Sequence, residues 1–283
     1  MKRLSLHLLL SGMALALLVM GCNNKGLIQS TPPQVKSQAF SPSVEQVASA
    51  VPDSDLIPGQ YIVVFKDQNR WKITEQAAQQ ALQSTQSVLT KYQISVDSVL
   101  FRYKYALKGF AAKLSQKQIN ELRADPLVDH VSRAYFLHLG VNGQSYKNGK
   151  STDSSNVLAS SSQVTPWGVS RVGGPFNGTG KKAWIIDSGI DLTNPDLNVD
   201  QANSVSFISG ESANDTYGHG TYVAGLLAAK NNSSGVVGVA SGATVIALKA
   251  CYSSGPNAGS CPSTSVINAL VIMYLQKLHI RML

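Results

Sequence analysis

Trp184-Ile185-Ile186-Asp187-Ser188-Gly189 and Gly218-His219-Gly220-Thr221-Tyr222-Val223-Ala224-Gly225 are the two stretches whose reading decides the fold. The first is an apolar run ending in an acid and a glycine, as a buried parallel strand does when its C-terminal end opens on a site. The second opens on a histidine between glycines, and Val223 to Ala229 continue it as an apolar helix with only its first turn facing a cleft. Acyl transfer by a serine hydroxyl needs a base and an anion that orients it. His219 has the position of the base and Asp187 that of the orienting acid.

Outward from this pair, toward the N-terminus, a second fold is legible. Tyr61 to Asp67 is a β-branched and aromatic run ending in a turn signal, hence a strand. Between Thr74 and Tyr92 apolar residues recur at helical spacing, with Ile73, Ala77, Ala81, Val88 and Leu89 on one face. Strand-like runs return at Ile94 to Tyr105 and Phe110 to Leu114. Ser115 caps a helix from Gln116 to Ala124, Asp125-Pro126 stops it, and Val128 to Phe136 is the last strand. Strand, helix, strand, strand, helix, strand is the ferredoxin-like split pattern.

Asn194-Pro195-Asp196-Leu197 follows the Asp187 motif and Gly235-Val236-Val237-Gly238-Val239-Ala240 follows the His219 motif. In this order the motifs resemble those of the subtilisin-like serine proteases. Ala106 to Leu114 and Leu122 to Val128 resemble the inhibitory propeptide of the same family, and the likeness runs from about Gly59 to Leu270. The resemblance implies an α/β fold, a partial doubly wound parallel sheet preceded by a small α+β ferredoxin-like propeptide domain. It implies a serine endopeptidase that cleaves peptide bonds in protein or peptide substrates through an acyl-enzyme. It implies that the propeptide templates folding and lays its C-terminal tail in the cleft. Subtilisins also hold a structural Ca²⁺, and the matching positions here are Gln163, Asp196, Lys230, Asn232, Ser234 and Val236. Their mixed carboxylate, amide and carbonyl oxygens suit Ca²⁺ better than a transition metal; the alternative is that 231–235 is a plain turn. No catalytic cofactor is expected.

The remaining sequence divides around these regions. Lys2 and Arg3 precede an apolar run from Leu4 to Met20 that reads as an export signal over 1–21, and Ser11 and Gly12 interrupt it too early for a membrane span of about 20 residues. Cys22 after Gly21 resembles the lipid-modified cysteine of bacterial lipoproteins, which predicts attachment to the membrane surface of the cell envelope; otherwise Cys22 stands near an ordinary cleavage site. Residues 22–58, rich in Gln, Ser, Pro and Ala, read as a flexible tether, and 140–165 as a Gly/Ser/Asn-rich linker. Cys251 and Cys261 lie in a Gly/Pro/Ser-rich stretch and, in an exported protein, are candidates for a disulfide. The formal charge of +8 is spread without a basic stripe, so no nucleic-acid partner is expected.

After Leu270 the resemblance stops, and 271–283 reads as an off-pattern tail. The family's oxyanion asparagine and Gly-Thr-Ser nucleophile motif do not occur before Leu283, and a shifted reading frame after Leu270 would account for that. Two readings follow. One is a truncated endopeptidase precursor, inactive as it stands, in which the partial catalytic region is loose and only the propeptide-like domain folds alone. The other is an inhibitor or folding chaperone that binds a full-length subtilase in trans.

Overall fold

A computed structural model of the chain describes residues 51–66, 74–105, 107–140 and 162–277. The chain divides into two units, 1–54 and 55–283, of which the second carries the elements that follow. The export signal, Cys22 and most of the tether lie outside the described residues. Among those described, no helix is long and apolar enough to cross a membrane.

The second unit begins with an antiparallel layer. Strand β1 (Leu56–Phe65) starts inside the stretch expected to be tether, helix α1 (Glu75–Lys91) follows, then β2 (Val99–Lys104), β3 (Lys108–Lys113), helix α2 (Gln116–Ala124) and β4 (Val128–His138). The sheet order β4-β1-β3-β2 is that of a ferredoxin-like fold. Both helices start where the sequence places a cap. Thr74 accepts the Ala77 amide, and Ser115 and Gln118 form a reciprocal capping box. On α1 the buried face is Ala78, Ala81, Thr85, Val88 and Leu89, so Ala78 takes the place expected of Ala77.

Four consecutive residues of β1, Ile62 to Phe65, are buried, which requires cover on both faces of the sheet. Val63 and Phe65 face α1 and α2 in a core with Val88, Leu89, Phe110, Ile119 and Leu122. Ile62 and Val64 face the other way, with Tyr103, Ala111 and, from far along the chain, Ile267.

The rest of the unit is an α/β layer. After the short helix α3 (Trp167–Arg171) and strand β5 (Phe176–Asn177) come β6 (Lys182–Asp187), β7 (Asn198–Val199), β8 (Val205–Ser206) and helix α4 (His219–Ala228). Strands β9 (Ala240–Ser241), β10 (Thr244–Lys249) and β11 (Ser260–Pro262) and helix α5 (Ser263–Lys277) complete it. Strand β10 is central and pairs in parallel with β6 on one side and with β7 and β8 on the other. Its side chains alternate between two cores. Val245 and Ala247 pack with Ile185 against Ala224, Leu227 and Ala228 of α4. Ile246 and Leu248 pack with Trp184 and Ile186 against Val266, Ala269 and Met273 of α5. Helices on both faces of a parallel sheet give the doubly wound arrangement.

Helix α5 is therefore shared. One side serves the parallel sheet, while Ile267, Val271 and Leu275 meet the antiparallel layer, the last two against Ala78 and Tyr105. The helix runs unbroken past Leu270 to Lys277, so residues 271–277, read from sequence as off-pattern, are a packed part of the fold. Two polar contacts reinforce the junction: the Tyr103 hydroxyl donates to the Thr264 carbonyl at 3.2 Å, and the Tyr135 amide donates to Ser263 Oγ at 3.1 Å. Strand β11 continues it by joining the antiparallel sheet beside β4, with Ser260, Cys261 and Pro262 opposite His138, Leu137 and Phe136.

Candidate active site

Asp187 is the last residue of β6 and is fully buried. Its backbone carbonyl accepts the amides of Ala250 and Cys251, which fixes the strand end against the chain leaving β10. His219 is the first residue of α4, and its Nδ1 lies 2.9 Å from each carboxylate oxygen of Asp187. A neutral imidazole that donates from Nδ1 carries its lone pair on Nε2, which is the form a general base needs. The Asp187 hydrogen bond raises the His219 pKa above its ordinary value; partial burial opposes this, and the negative charges of Asp187 and Asp215 add to it.

The short distance between the two elements has a backbone cause. A Cβ on Gly220 would stand 2.0 Å from the Gly189 carbonyl oxygen and 3.1 Å from Asp187 Cβ, so only glycine lets the first turn of α4 rest on the chain after Asp187. The Gly220 amide donates to Ser188 Oγ at 3.0 Å, and Ser188 is itself fully buried.

Beside the pair lies a short hairpin that sequence reading missed. The Tyr252 amide donates to the Ser260 carbonyl and the Gly259 amide to the Tyr252 carbonyl, each at 2.9 Å. Cys251 and Cys261 are joined by a disulfide that closes this loop. The outer edge of the loop holds the tail of β4: the Leu139 amide donates to the Gly259 carbonyl at 2.8 Å, beyond the β11 ladder. A three-residue strand carrying Pro262 has no periodicity to reveal it; the paired Cys251 and Cys261 around a Gly/Pro/Ser-rich stretch signalled a closed loop but not its pairing with β4.

Gln163, Asp196, Lys230, Asn232, Ser234 and Val236 come together away from this pair. Gln163 Nε2 lies 2.6 Å from the Lys230 carbonyl, 3.1 Å from that of Val236, 3.2 Å from that of Ser234 and 3.4 Å from Asn232 Oδ1. Asn232 Nδ2 donates to Asp196 Oδ1 at 2.8 Å. Four oxygens thus converge on one point, occupied by an amide nitrogen.

Residues 60–139 match the peptidase inhibitor I9 family and residues 178–281 the subtilase family. The chain thus carries an inhibitor-type segment followed by a subtilase segment. The inhibitor match covers the antiparallel layer and the subtilase match continues beyond Leu270, taking in all of α5. Subtilisin E of Bacillus subtilis is 35% identical over 162 residues, 54% of this chain and 36% of its own length. The alkaline protease of Alkalihalobacillus alcalophilus is 29% identical over 226 residues, 77% of this chain and 51% of its own. Subtilisin Savinase of Lederbergia lenta is 47% identical over 100 residues, 33% of this chain and 36% of its own. The chain therefore spans between about a third and a half of these relatives. An inhibitor-type segment before a subtilase segment is the organisation of a subtilase precursor, and the antiparallel layer is hereafter the prodomain.

Proposed function

We propose that the chain carries the prodomain and the acid–base half of a subtilisin-like serine endopeptidase that hydrolyses peptide bonds in protein substrates through an acyl-enzyme. Asp187 orients His219 and stabilises its protonated form, and His219 takes the proton of a serine nucleophile. The observation that carries this reading is the pair of 2.9 Å contacts from His219 Nδ1 to the fully buried Asp187 carboxylate at the C-terminal end of a parallel strand. Residues 1–283 by themselves supply two of the three groups and are inactive in this reading. The members of such a triad act as a unit, and loss of the serine alone costs subtilisin about 10⁶ in turnover. The test is to expose polypeptide 1–283 to a fluorophosphonate probe and a fluorogenic peptide. No labelling and no turnover are expected, and a labelled serine inside 1–283 overturns the assignment.

A second reading is favoured by the inhibitor-family match over 60–139. Here the prodomain binds a full-length subtilase in trans. Slow-binding inhibition of subtilisin E by the chain supports it, and unaltered progress curves count against it.

The cluster around Gln163 is proposed to hold a structural Ca²⁺. Rotating the Gln163 amide would bring Oε1 among the carbonyls of Lys230, Ser234 and Val236 and Asn232 Oδ1, a set of oxygens that repel one another unless a hard cation lies between them. The melting temperature should rise with added Ca²⁺ and not with Mg²⁺, and Asp196→Asn should abolish the rise. The chain is also proposed to be exported, with Cys22 as its lipid attachment point on the envelope; mass spectrometry of the mature N-terminal peptide reads this directly.

A further inference from the structure

Helix α4 begins without a cap of its own. Its N-cap, Gly218, has φ 99° and no side chain, so the first amides of the helix have no partner from that residue. Asp215 supplies what Gly218 lacks. One carboxylate oxygen accepts the Tyr217 amide at 3.0 Å and the Gly218 amide at 2.9 Å. The other accepts the Thr221 amide at 2.9 Å and the Thr221 hydroxyl at 2.7 Å.

The same two residues reach back to the other half of the site. The Asp191 amide, in the loop that follows Asp187, donates to Thr221 Oγ1 at 2.8 Å. The Asp215 amide donates to the Ile190 carbonyl at 3.1 Å, and Ile190 and Asn214 form a parallel bridge. A continuous chain of hydrogen bonds therefore runs from the loop after Asp187, through the Thr221 hydroxyl, to the Asp215 carboxylate and into the first turn that bears His219.

All four donors to Asp215 are uncharged and its side chain is buried, so among the described residues no ion pair cancels its charge. The charged groups that raise the His219 pKa are Asp187 and Asp215. Nearby, Lys249 at the end of β10 and Glu211 neutralise each other at 2.9 Å. We propose that Asp215 and Thr221 are positioning residues for the acid–base pair: they brace the loop after Asp187 against the first turn of α4, and Asp215 sets a second fixed negative charge beside the imidazole. The inference rests on the acid–base reading of Asp187 and His219 given above.

The experiment is an NMR titration of the His219 ring in the full chain, compared among wild type, Asp187→Asn, Asp215→Asn, Asp215→Glu and Thr221→Val. Asp215→Asn should bring the His219 midpoint down, because a nearby opposite charge is lost. Asp215→Glu should return it toward wild type. Thr221→Val should speed hydrogen exchange at the Asp191 amide and also lower the His219 midpoint, because a loosened brace weakens the Asp187–His219 contact; faster exchange with an unmoved midpoint would make Thr221 a structural residue only. A midpoint in Asp215→Asn equal to wild type overturns the inference, as does loss of the fold in that variant, which would make Asp215 a folding residue only. If Asp187→Asn leaves the midpoint unmoved, the acid–base reading itself fails; if it lowers the midpoint while Asp215→Asn does not, only the present inference fails.

Discussion

The prodomain and the parallel layer bury their sheets by different means. The prodomain closes one face with its own helices, where Val63, Phe65 and Phe110 meet Val88, Leu89, Ile119 and Leu122, and apart from β11 beside β4 its strands pair within residues 56–138. The parallel layer has α4 for one face and must use α5 for the other, and α5 is also the cover for the prodomain's second face. A helix apolar on two sides cannot stand in water alone. The difference teaches that the prodomain is not laid over a finished domain: without it Ile267, Val271 and Leu275 lose their cover.

The strongest way to break this comparison is to empty the prodomain core. Phe110 is fully buried, and Phe110→Ala should cost about 3–5 kcal/mol. Because α5 links the layers, amides of 244–249 in the parallel sheet should lose hydrogen-exchange protection together with those of 61–65. Loss confined to the prodomain would mean that the parallel layer is stable without it, against the expectation from sequence that only the propeptide-like domain folds alone.

The disulfide sharpens the comparison from the other side. Cys251 leaves the parallel sheet and its amide is bonded to the Asp187 carbonyl, whereas Cys261 lies in the strand that pairs with the prodomain's Leu137. Closing a loop of this length is worth roughly 3 kcal/mol in the chain-entropy model. Cys251→Ser with Cys261→Ser should lower the denaturation midpoint accordingly, with faster exchange at Leu139 than in β1. Equal loss in both would make the bridge a general staple.

How much of this was legible in the sequence follows the same division. Helix α2 spans the predicted Gln116 to Ala124, because a capping box begins it and Asp125-Pro126 ends it, both of them local signals. Asp187 and His219 are adjacent as the motifs required, each at the end of an element that the apolar pattern marks. Helix α5 was legible only at its start. With Val266, Ile267, Ala269, Val271, Ile272, Met273 and Leu275 spread around it, no 3.6-residue stripe exists to be read, and the apolar residues after Leu270 looked foreign. Asp215 and Thr221 were illegible as braces for a different reason. Their partners Ile190 and Asp191 are distant in sequence, and only the crossing of the two loops makes the connection.

The smallest effects come from protons, and they separate the layers by pH. In the prodomain, burial works against ionisation of Asp125, yet hydrogen bonds from Lys91, Tyr92 and the Leu127 amide hold its pKa down at about 2, against 3.8 when unfolded. A depressed acid stabilises the fold fully above its unfolded pKa, so about 2 kcal/mol is present at pH 5 and is lost as the pH falls from near 4 toward 2. In the parallel layer the His219 pKa is raised, chiefly by its hydrogen bond to Asp187, above the unfolded 6.5. A raised base contributes fully below 6.5, and that contribution is lost as the pH climbs through the folded value. Acidification should therefore loosen the prodomain first, while alkaline pH weakens the Asp187–His219 contact without touching Asp125. Denaturation midpoints of wild type, Asp125→Asn and His219→Gln measured at pH 3, 6 and 9 distinguish the two. Asp125→Asn should flatten only the acid limb and His219→Gln only the alkaline limb. If either variant flattened both, the layers would share their titrating groups as they share α5, and the electrostatic half of the comparison would fall.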